Sequence, residues 1–153
     1  MCETLHRIRN ERMQMSQPID LLEQLKDLSH QARFNTWLGV EVVTATRGQV
    51  EMQLRWREEL GQYSGYLHAG VICALLDTAC GFAAYTFSGS VLASQLSVKF
   101  LRPANAETFV VKGRVLKPGR QQIFAIAELS SLGESDRFFA VGDALLVPVT
   151  GGG

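Results

Sequence analysis

The sequence predicts an α+β fold in which one antiparallel sheet packs against a single long apolar helix. Three observations lead to this prediction. The run from Val71 to Tyr85 has the length and the continuous apolar character of a buried helix. Two segments that alternate between apolar and polar residues precede this run, and three or four follow it. The strands therefore come in runs before and after one long helix, which is typical of α+β proteins.

The elements are predicted in chain order. Residues from Pro18 to Trp37 carry apolar side chains near helical spacing, with Ser16 as a candidate N-cap and Gly39 at the end. We expect this amphipathic helix to cover an edge or a groove. A hairpin turning at Arg47-Gly48 comes next, and the long helix then runs from about His68 to Phe87. The strands are predicted at residues 40–46, 49–57, 92–101, 108–116, 122–130 and 138–147.

Composition indicates an ordinary globular protein. The chain has 153 residues, of which 46% are hydrophobic and 20% charged. A formal net charge of +0 argues against nucleic acid as a main partner, since such proteins usually carry a basic excess. Cys73 and Cys80 are two turns apart on the predicted helix, too far for a disulfide, and no C-x-x-C spacing suggests a metal. We expect a reducing, cytoplasmic location and no metal.

The domain organisation is predicted to be simple. One domain is expected over residues 17–149, between a flexible polar tail at 1–16 and a disordered tail at 150–153. The N-terminal residues lack the apolar segment of a secretory signal. The apolar run is interrupted by Asp77 and is short for a membrane span, so no membrane partner is expected.

Asp77 is the only charged residue in the apolar run. A carboxylate there loses hydration, so it needs partners or a purpose. Its same-face neighbours are all small, which leaves space beside the acid and favours a functional role. Gly81 also costs a helix about 1 kcal/mol relative to alanine, which suggests a close approach there. The structural alternative is an acid hydrogen-bonded to Thr78 or to a partner chain. The small neighbours are Cys73, Ala74, Cys80 and Gly81, and a separate apolar stripe contains Ile72, Leu75, Ala79 and Phe82.

A turn rich in small residues lies just before this helix. The first N–H groups of a helix have no internal partner and carry partial positive charge. Amides near Ala69 and Gly70 could therefore hold a carbonyl oxygen as it becomes negative, which is oxyanion-hole chemistry. His68 has three candidate roles: orienting the turn, bonding the substrate, or capping the helix.

These segments resemble a known family signature. Residues 67–72 (LHAGVI) and 75–81 (LLDTACG) resemble the H-G-G-x-x-x-x-L-x-D-x-A-x-G motif of hotdog-fold acyl-CoA thioesterases, closest to the phenylacetic-acid-degradation (PaaI-like) branch. Residues 96–104 (LSVKFLRPA) resemble that family's strand ending in (F/Y)LRPA. The likeness covers roughly Phe34 to Val147. It implies a sheet curled around a long helix and a homodimer or homotetramer with active sites at protomer interfaces.

The resemblance also implies roles for single residues. Asp77 matches the catalytic carboxylate, acting as general base on water or as nucleophile. Ala69 and Gly70 match the two glycines whose amides polarise the thioester oxygen, and His68 matches the histidine that supports the turn. Gln62 stands where many relatives have an Asn that positions the water or the thioester.

Three departures from the family pattern are visible. Ala69 replaces a glycine, and Gln62 replaces the Asn. Ala93-Ser94 falls where relatives carry a Ser or Thr partner for the carboxylate, so Ser94, after a one-residue register shift, or Gln95 is a candidate. Three basic residues near the ends of predicted strands are candidates for the coenzyme A phosphates: Arg102, Lys117 and Arg120.

The sequence therefore predicts an acyl-CoA thioesterase of fatty acid metabolism, which turns a thioester and water into a carboxylate and CoA. No cofactor is expected apart from the coenzyme A of the substrate. Two alternatives stay open: a hydratase or dehydratase that uses His68 with Asp77, and a non-enzymatic acyl-CoA binding module. Medium-chain and aryl acyl groups are both compatible with the sequence. Four aromatic residues are candidates for an acyl tunnel: Trp56, Phe82, Tyr85 and Phe87.

Overall fold

The N-terminal part of the fold is two helices rather than the single predicted helix. The structure, a computed structural model, describes residues 20–149, so Ser16 and the tails predicted at 1–16 and 150–153 lie outside the described residues. Helix α1 spans Leu21–Gln31 and helix α2 spans Arg33–Leu38. The extended backbone of Ala32 separates them (φ −82°, ψ 107°).

Tertiary packing explains this break. Asp20 caps α1 by accepting a hydrogen bond from the Leu22 amide at 3.1 Å. After the turn at Ala32, the side chains of Asn35 and Leu38 on α2 are buried, as Leu25 on α1 is. The prediction of one continuous helix is therefore wrong. Burial of the α2 side chains after the turn at Ala32 outweighs the helical periodicity that continues through the turn. Gly39 ends α2 with a φ of 77°, as predicted.

The sheet has six strands, and every pairing is antiparallel. The predicted hairpin forms, with Gly48 in its turn at a φ of 79°. The order across the sheet is β1-β2-β4-β5-β6-β3, which places β1 and β3 at its two edges. The strands are β1 (Glu41–Thr46), β2 (Gln49–Arg55), β3 (Val91–Phe100), β4 (Thr108–Lys117), β5 (Ile123–Ser131) and β6 (Ala140–Pro148).

Helix α3, Ala69–Ser88, packs against one face of this sheet. The predicted apolar stripe is buried along its whole length. Gly113 of β4 allows the closest approach, since a Cβ there would lie 2.3 Å from the Ala79 carbonyl oxygen. By length and composition α3 could cross a membrane, but here the sheet covers its apolar side. The α+β prediction, with a long central helix and an N-terminal helical segment, is confirmed.

The two edges of the sheet differ. Helix α1 packs against β1. Strand β3 pairs with β6 on one side and with no strand on the other within residues 20–149. Six of its ten residues are exposed. Its register shifts between Ala93 and Gln95, so Ser94 is an extra residue in a β-bulge.

Candidate active site

The Asp77 carboxylate faces a groove of about 320 Å³. Asp77 is half-buried, and desolvation raises the pKa of its carboxyl above the ordinary 3.8. No hydrogen bond or ion pair joins Asp77 to a neighbour in the described part of the chain, and Thr78 in particular makes none with it. The structural alternative of an acid held by Thr78 therefore has no support within this protomer.

Three layers of structure form the groove. Helix α3 is the floor, the N-terminal helices form one wall, and the start of β3 with β6 forms the other. A Cβ built at Gly81 would meet nothing within 4 Å, so the space predicted beside the acid is present. Phe82 and Tyr85 of the predicted tunnel line the groove, whereas Phe87 packs under Arg47 and Trp56 packs against Gly61. The other lining residues are Leu28, Asn35, Thr78, Ser90, Val91, Leu92, Ala93 and Leu146.

His68 is the N-cap of α3. Its Nδ1 accepts a hydrogen bond from the Gly70 amide at 2.9 Å, and its carbonyl accepts from the amides of Val71 and Ile72. Nδ1 is therefore unprotonated and any ring proton lies on Nε2. The Gly70 N–H is occupied, so the Ala69 N–H is the donor of this turn that has no partner among the described residues. Of the three roles considered for His68, capping is the one seen.

A second groove, of about 490 Å³, lies beside this turn. Ala69, Gln62 and Arg102 all line it. The Gln62 side-chain oxygen accepts a hydrogen bond from the Ser64 amide, which leaves its amide nitrogen available as a donor. The structure thus brings Ala69 of the predicted turn together with Gln62, but in a different groove from Asp77.

The distance along α3 separates these two groups. Asp77 is eight residue steps along α3 from Ala69, and a rise of about 1.5 Å per step places them about 12 Å apart along the axis. The N–H of Ala69 also points out of the helix at its N-terminus. Within one protomer, the acid and this donor do not reach the same carbonyl group.

Ser94 is near the acid groove without facing it. Ala93, which pairs with the buried Leu146, lines the groove. The Ser94 hydroxyl donates to the Leu145 carbonyl at 3.2 Å, and Gln95 pairs with the same residue. The bulge supplies the register shift that Ser94 would need, but no contact between Ser94 and Asp77 is present in this protomer.

The three predicted phosphate-binding residues are not brought together in one chain. Arg102 lies beside the turn groove, where its guanidinium stacks 4.7 Å from the Phe139 ring and donates to the Arg137 carbonyl. Arg120, by contrast, lies with Phe87 near the C-terminal end of α3, and Lys117 ends β4 close by.

Two further chemistries can be assessed from the described residues. No group of three His, Cys, Asp or Glu side chains able to hold a metal occurs in residues 20–149. Burial, with added repulsion from Asp77 and Asp143, raises the pKa of Cys80 to about 12. Cys80 is therefore protonated at neutral pH and is a poor nucleophile.

Leu28 and Asn35 are groove residues that sequence reasoning missed. They come from α1 and α2, about forty to fifty positions before Asp77 in the chain. The one available signal was Asn35, a polar residue within an otherwise amphipathic segment. Its side chain is buried and donates to Ser29 at 3.3 Å.

Comparison with known proteins agrees with this geometry. Residues 64–135, which include both the turn and Asp77, match the thioesterase superfamily. A thioesterase family protein of Silicibacter pomeroyi has a solved structure that is 31% identical, with a TM-score of 0.80, over 86% of this chain and 99% of that one. The PaaI protein of the E. coli phenylacetic acid degradation operon has the same fold at 18% identity (TM-score 0.78, 86% and 95% coverage).

A curated protein of Saccharolobus solfataricus, named "Putative esterase", is 28% identical over 69% of this chain and 75% of its own. The matched segments, the six-stranded antiparallel sheet and the long central helix all agree with the predicted signature. The chain belongs to the thioesterase superfamily, has the hotdog fold, and is at that level a thioester hydrolase.

Proposed function

We propose that the protein is an acyl-CoA thioesterase whose acid and carbonyl-binding donor come from two copies of the chain. The observation that carries the proposal is the separation between the acid and the donor, together with their lack of partners among residues 20–149. Among residues 20–149, Asp77 faces a groove without a partner, and the Ala69 N–H is an unpaired donor about 12 Å away along the same helix. A second protomer would bring the turn of one chain to the acid of the other.

The edge of β3 that pairs with no strand in the described part of the chain supports such a dimer. Unpaired N–H and C=O groups along an edge strand can pair with another chain. Two antiparallel copies of β3 would form an isologous contact, in which each surface meets its own copy. Because Ala93 lies both on β3 and in the acid groove, this contact would lie beside Asp77. A twofold axis would then create two identical sites.

Two routes are chemically complete in this site. As a general base, Asp77 takes a proton from water while the water oxygen attacks the thioester carbonyl carbon. The carbonyl oxygen becomes negative and is stabilised by the Ala69 N–H of the partner copy. Its collapse breaks the C–S bond, and the CoA sulfur takes the proton back. As a nucleophile, Asp77 instead forms an anhydride and expels the CoA thiolate, and water then hydrolyses the anhydride.

The remaining predicted residues have supporting roles in this proposal. The Gln62 amide nitrogen is a donor near the turn that can position the water or the thioester. Ser94 would meet Asp77 only from another copy or after a shift at the bulge. Arg102, Lys117 and Arg120 are the proposed contacts for the phosphates of coenzyme A, which is substrate and product rather than a resident cofactor. The proposed location is the cytoplasm.

Thiol release from a panel of acyl-CoAs tests the proposal. We expect wild-type activity, and a loss of at least about a hundredfold in Asp77→Asn, or roughly 2.7 kcal/mol of transition-state stabilisation. Asp136→Asn, at an exposed turn, makes the same chemical change and should retain activity. Tight acyl-CoA binding without turnover in the wild type would identify a binding module instead. Water addition to an enoyl-CoA without thiol release would identify a hydratase.

A further inference from the structure

We propose that the Asp77 groove is an acyl-group gauge in which Gly81 and Tyr85 set the longest acyl group accepted. This inference deepens the thioesterase proposal and rests on it. The gauge consists of Asp77, Gly81 and Tyr85, which follow one another at four-residue intervals and all line the groove. Residues four apart are neighbours on the surface of a helix, so the three form one row that is inclined to the helix axis.

Gly81 is the open middle of this row. The absent side chain leaves free space, since a Cβ built there would contact nothing within 4 Å. Gly81 lies about 6 Å, and Tyr85 about 12 Å, along the helix axis from Asp77. An acyl chain whose thioester carbon is held at Asp77 can therefore lie along the helix over Gly81. Phe82 and Leu146 supply apolar surface beside it.

Tyr85 marks the far end. Its hydroxyl accepts a hydrogen bond of 3.3 Å from the Gln24 side-chain nitrogen on α1, which holds the ring against the N-terminal wall. Asn35 and Ser90 also line the groove. Polar groups are a poor environment for additional methylene groups. The Tyr85 hydroxyl and its Gln24 partner thus place polar groups at the end of the row opposite Asp77.

These dimensions define a substrate class. A volume of about 320 Å³ is near the lower end of the roughly 300–1,000 Å³ found for small-molecule sites. It suits an acyl group but not the whole of an acyl-CoA. An extended chain advances about 1.2 Å per bond, so 12 Å accepts roughly eight to ten carbons. We therefore assign a medium-chain acyl group, or an aryl acyl group with one ring, as the preferred substrate.

Two opposite substitutions test the gauge. Gly81→Leu fills the middle of the row with a good helix former, and Tyr85→Ala removes the end. The readout is kcat/KM across acetyl-, butyryl-, octanoyl- and dodecanoyl-CoA, because ratios between chain lengths do not respond to a uniform loss of folded enzyme. We expect Gly81→Leu to lower the octanoyl-to-acetyl ratio at least tenfold. Tyr85→Ala should raise the dodecanoyl-to-octanoyl ratio at least fivefold.

A matched control and a turnover-independent arm complete the test. Phe124→Ala removes an exposed aromatic ring from β5, outside the groove, and should leave both ratios unchanged. Binding of S-octyl-CoA and S-ethyl-CoA thioethers, measured by calorimetry, gives the same comparison without hydrolysis. We expect Gly81→Leu to lose affinity for the octyl compound at least tenfold more than for the ethyl compound.

The outcomes separate the two proposals. If wild-type protein hydrolyses acyl-CoAs but both variants change all chain lengths by one factor, the gauge is overturned and the thioesterase proposal stands. If no acyl-CoA is hydrolysed, the thioesterase proposal fails, and the thioether affinities decide whether the groove still measures chain length. Equal losses for octyl and ethyl compounds would then reject the gauge as well.

Discussion

Replacing Ala69 with proline should remove one hydrogen-bond donor and little else. Ala69 is the first residue of α3, after the His68 N-cap. Proline is well tolerated at this position, because its missing N–H has no helical partner and its fixed φ suits the helix. The ψ of His68, 137°, also lies in the range that a residue before proline prefers. The variant should therefore fold normally.

The expected catalytic loss can be estimated from which N–H groups of the turn are already hydrogen-bonded. Since the Gly70 N–H is already bonded to His68 Nδ1, it cannot replace the missing donor. Removal of one oxyanion donor typically costs about 10²–10³ in kcat, or about 2.7–4 kcal/mol. We expect a loss of this size in Ala69→Pro. Ala69→Gly retains the N–H and should stay within a few-fold of wild type.

Mixed dimers then test whether the two groups act across an interface. Ala69→Pro and Asp77→Asn chains are unfolded together, refolded and assayed for thiol release. If each site takes its turn from one chain and its acid from the other, a heterodimer has one intact site. Half of the dimers in an equal mixture are heterodimers, so about a quarter of wild-type activity should return. Sites contained within one chain would recover nothing, and that result would refute the reasoning.

Three further predictions concern pH and packing. The acid limb of the kcat/KM–pH profile should have a midpoint above pH 3.8. Activity requires ionised Asp77, and desolvation raises the pKa of its carboxyl. A midpoint at or below pH 3.8 would contradict this. Asp77→Asn should raise the melting temperature at neutral pH. The Asp77 carboxyl ionises at a lower pH in the unfolded chain than in the folded one, so its charge destabilises the fold. The gain in melting temperature therefore grows as pH rises from 3.8 through the folded pKa and is absent below 3.8. A gain at pH 3 equal to that at pH 7 would exclude this cause. Gly113→Ala should lower stability in urea unfolding by about 1–3 kcal/mol, because its Cβ would lie 2.3 Å from the Ala79 carbonyl oxygen, and an unchanged midpoint would show that α3 can shift freely. Gly133→Ala is a poor control because of its positive φ, whereas Gly81→Ala, in open space within α3, should raise stability by about 1 kcal/mol because alanine is the better helix former.

Local patterns predicted much of the fold. The hairpin, the long helix and its cap at His68 depend on residues close together in the chain, and all three are present. The break at Ala32 could not be predicted in this way, because it depends on the burial of α2 against residues far along the sequence. The apolar spacing continues through the break, so periodicity alone indicates one helix.

The candidate site was predictable to a similar degree. Asp77 stood out because a charge in an apolar helix is a local anomaly. Which residues share its groove is a long-range property, so Leu28 and Asn35 were missed. The orientation of Ser94 depends on a bulge in β3, and a single extra residue changes which side chain faces the helix. Occupation of the Gly70 amide by His68 likewise depends on a rotamer, which the sequence does not encode locally.

The edge of β3 that has no partner strand within residues 20–149 has a consequence for how the protein responds to dilution. If this edge joins two copies, each catalytic centre exists only while the copies are associated, so the number of working sites follows mass action. Specific activity would then fall as total protein approaches the dissociation constant of the dimer, although each separate chain kept its sheet and helix. Ligands that occupy both grooves at once would oppose this loss, because they bind the associated form alone. Substrate supply would thus help to maintain the assembled enzyme.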